Sequence, residues 1–309
     1  LSYFNEKFYL TLKRSVKFYK WRIDNYPIGS QKYFLKKNNH KIISLLVSQI
    51  HKNKAMIVDL IADDFPKIYG CFCEGGIITG KIHPLAKVKI NGDSIEVFDN
   101  GIFIYAFGRK FTQKVKIEIN SFSKEYLVSD KTYKVEQIRG LPRNTVDPNK
   151  SELERILSDQ KKIKYAKKIG SKSRLFEKNF ILPSKGRLSG FYGSQRILNS
   201  KPRKPHAGID IAAKEGTPVI APSSGKIKLV EKNMFFTGNT VILDHGLGLI
   251  SIFAHLKDIS ISEDQNVTKG DLIGSIGMTG RATGPHLHWG VYLKNVSVDP
   301  MALLDFELY

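Results

Sequence analysis

His206-Ala-Gly-Ile-Asp-Ile-Ala-Ala213 is the stretch whose conformation decides how the chain folds around its chemistry. It sets an imidazole and a carboxylate four residues apart. On a straight strand such residues face the same way but lie roughly 13 Å apart, too far to share one ion. On a helix they would be neighbours. Pro205 and Gly208 argue against a helix, and Ile209, Ile211 and Val219 read as strand. The chain is therefore expected to turn at Ala207-Gly208 and bring His206 back toward Asp210. Metal–ligand bonds of about 2.0–2.2 Å make that closeness obligatory if the two share a zinc ion.

Two more clusters extend the pattern. Of eight histidines, five fall between positions 206 and 288. His255 stands in Phe253-Ala-His-Leu256, and His286-Leu-His288 precedes Trp289. On a strand, residues two apart share a face, with side chains roughly 6–7 Å apart. One of the pair can then ligate while the other lines the same pocket. Two neutral imidazoles and one carboxylate bind Zn²⁺ tightly and leave a position free for water. Two further imidazoles beside it can move protons. His245, in Asp244-His-Gly246 between two strand-forming runs, reads as a turn residue.

Further stretches share the order and spacing of a known family. They are Gly190-Phe-Tyr-Gly193, Gly216-Thr-Pro-Val-Ile-Ala-Pro222, Gly225-Lys-Ile227, Lys269-Gly-Asp-Leu-Ile-Gly274 and Thr279-Gly-Arg-Ala-Thr-Gly-Pro-His-Leu-His288. With the three histidine clusters, they make residues 181–304 resemble the lysostaphin-type, or LytM, zinc metallopeptidases, which cut peptide cross-bridges and stems in bacterial peptidoglycan. The resemblance implies that His206, Asp210 and His288 hold Zn²⁺, and that His255 and His286 are the catalytic, non-ligand histidines beside the metal-bound water. It also implies a zinc-dependent endopeptidase acting on peptidoglycan stems or cross-bridges, in the cell envelope, periplasmic or extracellular. Some members of the family have lost ligands and act as binding or activating modules. No ligand position is substituted here, so the alternative of a non-catalytic wall-binding activator of another hydrolase is the lesser expectation. Tyr192 lies close enough in sequence to reach the site as an oxyanion helper.

The rest of the chain is bounded by composition. Its 309 residues suffice for two domains, and 41% hydrophobic content supports a packed core. Residues 181–309 hold 14 Lys/Arg against 11 Asp/Glu, so most of the net charge of +20 lies in residues 1–180. A basic half suits an anionic wall polymer or membrane surface, or else simply follows from a chain rich in Lys, Asn and Ile throughout. No recognised nucleic-acid motif is present, and no specific nucleic-acid partner is expected. The two cysteines, Cys71 and Cys73, read as ordinary strand residues, because a bridge at that spacing looks strained. Cysteine usage therefore leaves the redox compartment open. The chain begins at Leu1, and its best apolar run, Ile42 to Ile50, is too short to span a bilayer and a poor signal peptide.

The fold class expected is mainly β. A basic segment of unassigned function, residues 1–68, has helical spacing at Ile42, Ile43, Leu45, Leu46 and Ile50, as in a buried helix. Residues 69–140 alternate apolar and polar around Asn91-Gly92 and Asn100-Gly101, the pattern of a small β-sandwich; they resemble immunoglobulin-like accessory domains. Residues 141–180 read as a helical linker opening on a Ser151–Glu154 capping box, with Leu153, Ile156, Leu157, Ile163 and Ala166 on one face. Residues 181–309, mostly short strands and turns, are expected to close into a compact, partly barrel-like peptidase domain.

Overall fold

Alternating side chains shape the upstream sheets. In Lys114–Ile119, Val115, Ile117 and Ile119 are buried while Lys114 and Lys116 face water, as in a half-buried strand. The computed structural model describes residues 31–304, apart from 39–40, 52–53, 63–65, 112–113, 121, 169 and 178. Contacts divide the chain into two units, Leu1–Phe65 and Pro66–Tyr309.

In the first unit, strands Gln31–Asn38, Lys41–His51 and Lys54–Ala62 form a three-stranded antiparallel sheet, with Leu46 opposite both Phe34 and Leu60. The helix expected over Ile42–Ile50 is thus a central strand. Its β-branched residues Ile42, Ile43, Val47 and Ile50 suit pairing on both sides, and that pairing overrides the helical spacing. The basic, aromatic stretch 1–30 lies outside the described residues.

The second unit begins with two antiparallel sheets. Ile68–Gly70, Ile77–Lys81 and Ile102–Ala106 form one. Phe122–Leu127, Lys114–Ile119, Val88–Ile90 and Asp93–Ile95 form the other. Asn91 and Gly92 turn the chain between Val88–Ile90 and Asp93–Ile95, with φ of 50° and 89°. Cys71 and Cys73 are joined in a disulfide, contrary to the sequence expectation. The chain bends between them, so their Cα atoms lie 5.3 Å apart, within the usual disulfide range.

The linker contains a short helix, Arg143–Val146, and a long one, Lys150–Lys168. The long helix is capped two residues earlier than the sequence suggested. Asn149 Oδ1 accepts from the Glu152 amide at 2.9 Å, and Glu152 Oε2 accepts from the Asn149 amide at 2.8 Å, a reciprocal box built on Asn rather than Ser. Ile156 and Ala166 are buried; Ala166 packs on Leu229, Ile242 and Ile252 of the following sheet, with Ile163 against them. Leu153 and Leu157 stay exposed, so the apolar face that is used is narrower than the five-residue one expected. Among the described residues no helix is long and apolar enough to cross a membrane.

Residues from Arg187 to Val298 build a ten-stranded antiparallel sheet. Its path runs from Arg187–Gly190 through Gly208–Ala212, His286–Leu293, Leu249–Ile259, Gly238–Gly246 and Gly225–Met234 to Asn266–Val267. The two end strands do not pair among the described residues, so the sheet is open rather than barrel-like. Trp289, Phe253, Ile209 and Leu287 fill its core. Ile102 and Ile104 of the upstream sheet belong to that same buried cluster, together with Leu293 and Val298. Upstream strand Val135–Ile138 also pairs in parallel with Gln195–Leu198.

Candidate metal centre

Strand register creates the site. Gly208–Ala212 runs antiparallel to His286–Leu293, placing Asp210 directly opposite His288 and Ala212 opposite His286. His206 sits just before the first strand, and its backbone is held by exchange with Gly193 and Ser194. Its Nε2 lies 3.1 Å from Asp210 Oδ1 and 2.9 Å from His288 Nδ1, and His288 Nδ1 lies 2.9 Å from Asp210 Oδ1. One donor atom from each of the three therefore converges on a single point, with all three within 4.8 Å of one another.

Backbone carbonyls set the imidazole orientations. His206 Nδ1 meets the Phe191 carbonyl at 3.1 Å, His255 Nδ1 meets that of Thr279 at 2.8 Å, and His286 Nδ1 meets that of Gly284 at 2.8 Å. A carbonyl only accepts, so each Nδ1 carries the proton and donates. Each Nε2 is then left as a lone pair, the form a metal or a proton needs. His286 Nε2 lies 3.9 Å from Asp210 Oδ1, and the His255 and His286 rings are 4.7 Å apart at their centroids.

His255 reaches this cluster through a backbone irregularity. Val241 pairs with Phe253 and Asn239 with Leu256, so two residues, Ala254 and His255, face one on the partner strand. The extra residue forms a bulge, a device that re-aims a side chain. His255 takes φ 63° there, a left-handed conformation uncommon outside glycine. Burial, then repulsion from His286 and His288, pushes the His255 imidazole down to about 3. Burial, opposed by the hydrogen bond to Asp210, takes His288 to about 4. Burial works against ionisation of Asp210, but the adjacent His206 and His288 imidazoles outweigh it and hold the carboxyl well below the usual range. At neutral pH His255 and His288 are thus neutral imidazoles and Asp210 a carboxylate, and the His206, Asp210 and His288 donors suit a divalent ion of zinc's kind.

Asp210 has a second partner that its sequence neighbourhood does not reveal. Arg196 Nη2 pairs with Asp210 Oδ2, and Arg196 Nε lies 3.4 Å from Glu136 on the upstream strand Val135–Ile138. Glu136 Oε1 also accepts from the Phe191 amide at 3.2 Å. A Cβ on Gly190 would strike Asp210 Oδ2 and crowd Arg196, so glycine at 190 makes room for the pair.

Two cavities flank the cluster. One, of about 440 Å³, is lined by His255, His286, Asp210, Arg196, Glu136 and Ile138 among others. A second, of about 700 Å³, lies against His206, Arg203, Lys204, Phe236 and Leu153. Arg196 and Arg281 line both. Tyr192 is directed elsewhere: its hydroxyl donates to the Ser297 carbonyl at 2.8 Å, and its ring meets Tyr133. It therefore supports the upstream interface instead of reaching the site as an oxyanion helper. His245 is fully buried outside the site, with Nδ1 donating to Ser224 O and Nε2 accepting from Ser251 Oγ, both at 2.9 Å.

Residues 204–300, which carry all five site side chains, match the peptidase family M23. This part of the chain is similar to M23 peptidase domains. Among curated proteins, the chain is 34% identical over 138 residues to peptidoglycan DD-endopeptidase ShyA of Vibrio cholerae, covering 44% of this chain and 32% of that protein. It is 41% identical over 98 residues to DD-carboxypeptidase/endopeptidase Mpg of Neisseria meningitidis, covering 32% and 22%. The chain thus spans about a third or less of the length of these relatives. A crystal structure described as a peptidase M23 from Pseudomonas aeruginosa matches with TM-score 0.57 and 28% identity, over 75% of this chain and 95% of that one. That share exceeds residues 181–309, so the likeness extends into the upstream sheets or linker.

Proposed function

We propose that the protein is a zinc-dependent endopeptidase that hydrolyses peptide bonds in bacterial peptidoglycan and works in the cell envelope. The observation that carries this reading is the convergence of His206 Nε2, Asp210 Oδ1 and His288 Nδ1 beside a cavity walled by His255 and His286. The name of the Vibrio relative, a peptidoglycan DD-endopeptidase, supplies the substrate class. The alternative of a non-catalytic wall-binding activator is disfavoured by the complete donor set.

His206, Asp210 and His288 would hold the ion. When bound, zinc supplies a water of pKa about 7 and a Lewis acid for the scissile carbonyl. The protein's own part is proton transfer. With Nδ1 donating to carbonyls, His255 and His286 each present a lone pair at Nε2, and one of them takes the proton from the attacking water. The same Nε2 then carries N–H, which can be passed to the leaving amine. The imidazolium N–H so formed is the side-chain donor facing the oxyanion before its proton passes to the amine, since Tyr192 is occupied elsewhere. Arg196 acts through Asp210: it satisfies Oδ2 and fixes Oδ1 toward the site. The basic upstream half would add attraction for the anionic wall or membrane surface.

The test is release of soluble muropeptides from purified sacculi by the zinc-loaded chain, read by mass spectrometry. Stem or cross-bridge peptides with newly formed ends are expected, and chelation should abolish them. Intact sacculi in the presence of one zinc per chain would contradict the reading.

A further inference from the structure

The family-matching stretch Thr279–His288 contains Arg281, which the reaction above does not use. The Arg281 amide donates to Phe236 O at 2.9 Å. Two residues earlier, Thr279 O receives the Nδ1 proton that orients His255. The Arg281 guanidinium lies 4.2 Å over the Phe236 ring, and Nη1 donates to the Thr145 carbonyl at 3.2 Å.

Charge around this guanidinium is unbalanced. Among the described residues no carboxylate pairs with Arg281. The acids near it are committed: Asp210 and Glu136 to Arg196, and Asp147 to Lys201 at 2.6 Å and Arg203 at 3.5 Å. Its charged neighbours across the cavities include Arg196, Arg203 and Lys204. Burial and the nearby Arg196 and Arg203 charges push Arg281 down to about 10, still cationic at neutral pH. A guanidinium has five N–H donors in a planar fork matched to carboxylate. Here a single neutral carbonyl takes one of them, at the junction of the two cavities beside the metal cluster.

We propose that Arg281 is a specificity residue that receives a free carboxylate of the peptide substrate. Phe236 supports the underside of the guanidinium, and Lys204 and Arg203 add long-range attraction. The substrate class is thus narrowed to acidic peptides with a carboxylate near the scissile bond, as peptidoglycan stems provide. The inference rests on the proposed peptide hydrolysis and deepens it.

The test uses the full zinc-loaded chain with two substrates: cross-linked muropeptides, and the same muropeptides with carboxylates converted to primary amides. Wild type is expected to favour the acid form by about 10- to 100-fold in kcat/KM, mainly through KM, the worth of a charge-assisted hydrogen bond. Arg281→Gln is expected to treat the two forms alike while retaining zinc. Arg281→Lys, a point charge without the fork, is expected to keep part of the preference. Equal use of both forms by wild type overturns the proposal. So does an Arg281→Gln variant that loses activity on both forms by the same factor, since that marks only the role of the Thr145 contact. If neither form is cut, calorimetric binding of the two forms reads the same preference. Preferential binding without turnover then overturns hydrolysis and leaves the carboxylate site standing, and equal binding overturns the site.

Discussion

Asp210 and His288 are direct cross-strand partners, and Asp210 Oδ1 meets His288 Nδ1 at 2.9 Å. Two of the three candidate ligands are thus set by sheet register, and only His206 depends on the approach of a loop. A one-residue slip of register would turn His288 to the opposite face, so the sheet core and the metal centre specify each other.

Replacing His206, Asp210 or His288 by Ala should remove bound zinc and activity together. Ligand-linked stability should go too: saturation at 1,000 times Kd is worth about 4 kcal/mol for a site present only in the folded state. Elemental analysis and zinc-dependent melting temperature check this. Full zinc occupancy in His288→Ala would remove it from the ligand set.

His255→Ala and His286→Ala should keep zinc but lose kcat by about 10²–10⁴-fold, the usual contribution of a general acid or base. The double variant should lose less than the product of the two, because both side chains serve one proton path. Zinc content measured alongside kcat separates this from loss of the metal.

Arg196→Gln should lower zinc affinity by about 10–100-fold, as expected when a metal-ligating carboxylate loses its outer partner. Glu136→Gln, one step further out, should have a smaller effect. Competition with a chelator measures both affinities. Unchanged affinity in Arg196→Gln would reduce the Asp210 contact to packing.

His245 makes stability depend on pH. Its burial lowers the imidazole to about 4 from 6.5. Between those values the unfolded chain binds a proton that the folded chain excludes. Stability is therefore full above about pH 6.5 and falls by on the order of 3 kcal/mol as the pH drops to 4. Urea unfolding of the wild type and of His245→Asn at pH 7.5 and 4.5 should show a smaller pH difference in the variant.

Removing residues before 181 should destabilise the peptidase sheet. It strips Ile102 and Ile104 from the shared core, strand Val135–Ile138 from Gln195–Leu198, and Glu136 from Arg196. Glu136, Ile138 and Leu141 also line the cavity beside His286, so the upstream segment walls the groove as well as supporting it. Thermal melting of residues 181–309 against the full chain should show a clear drop. Equal melting temperatures would make the upstream sheets a spacer.

The site was legible because its chemistry is written in local spacing. His206 and Asp210 lie four apart, and His286 and His288 two apart, in glycine-rich strand sequence, so few local geometries satisfy both. The upstream strands were legible where period-two alternation is strong, as in Lys114–Ile119, and where Asn-Gly marks a hairpin. Phe122–Leu127 was not, because Ser123, Lys124 and Glu125 are all exposed and no alternation appears. Lys41–His51 was misread because Ile42, Leu45, Leu46 and Ile50 fall at helical spacing, which strand pairing on both sides overrides. Arg196 and Glu136 were missed because their partnership with Asp210 joins three separate strands, and a single Arg or Glu in a strand carries no pattern. The Cys71–Cys73 bridge was excluded by a straight-strand assumption that the local bend removes.

The most direct measurement is muropeptide release from purified sacculi while the metal-free full chain is titrated with zinc. Activity should rise with added zinc, saturate at one equivalent and be absent in His288→Ala over the same range. Release that is equally fast without zinc, or no release at one bound zinc per chain, would contradict a zinc endopeptidase built on His206, Asp210 and His288.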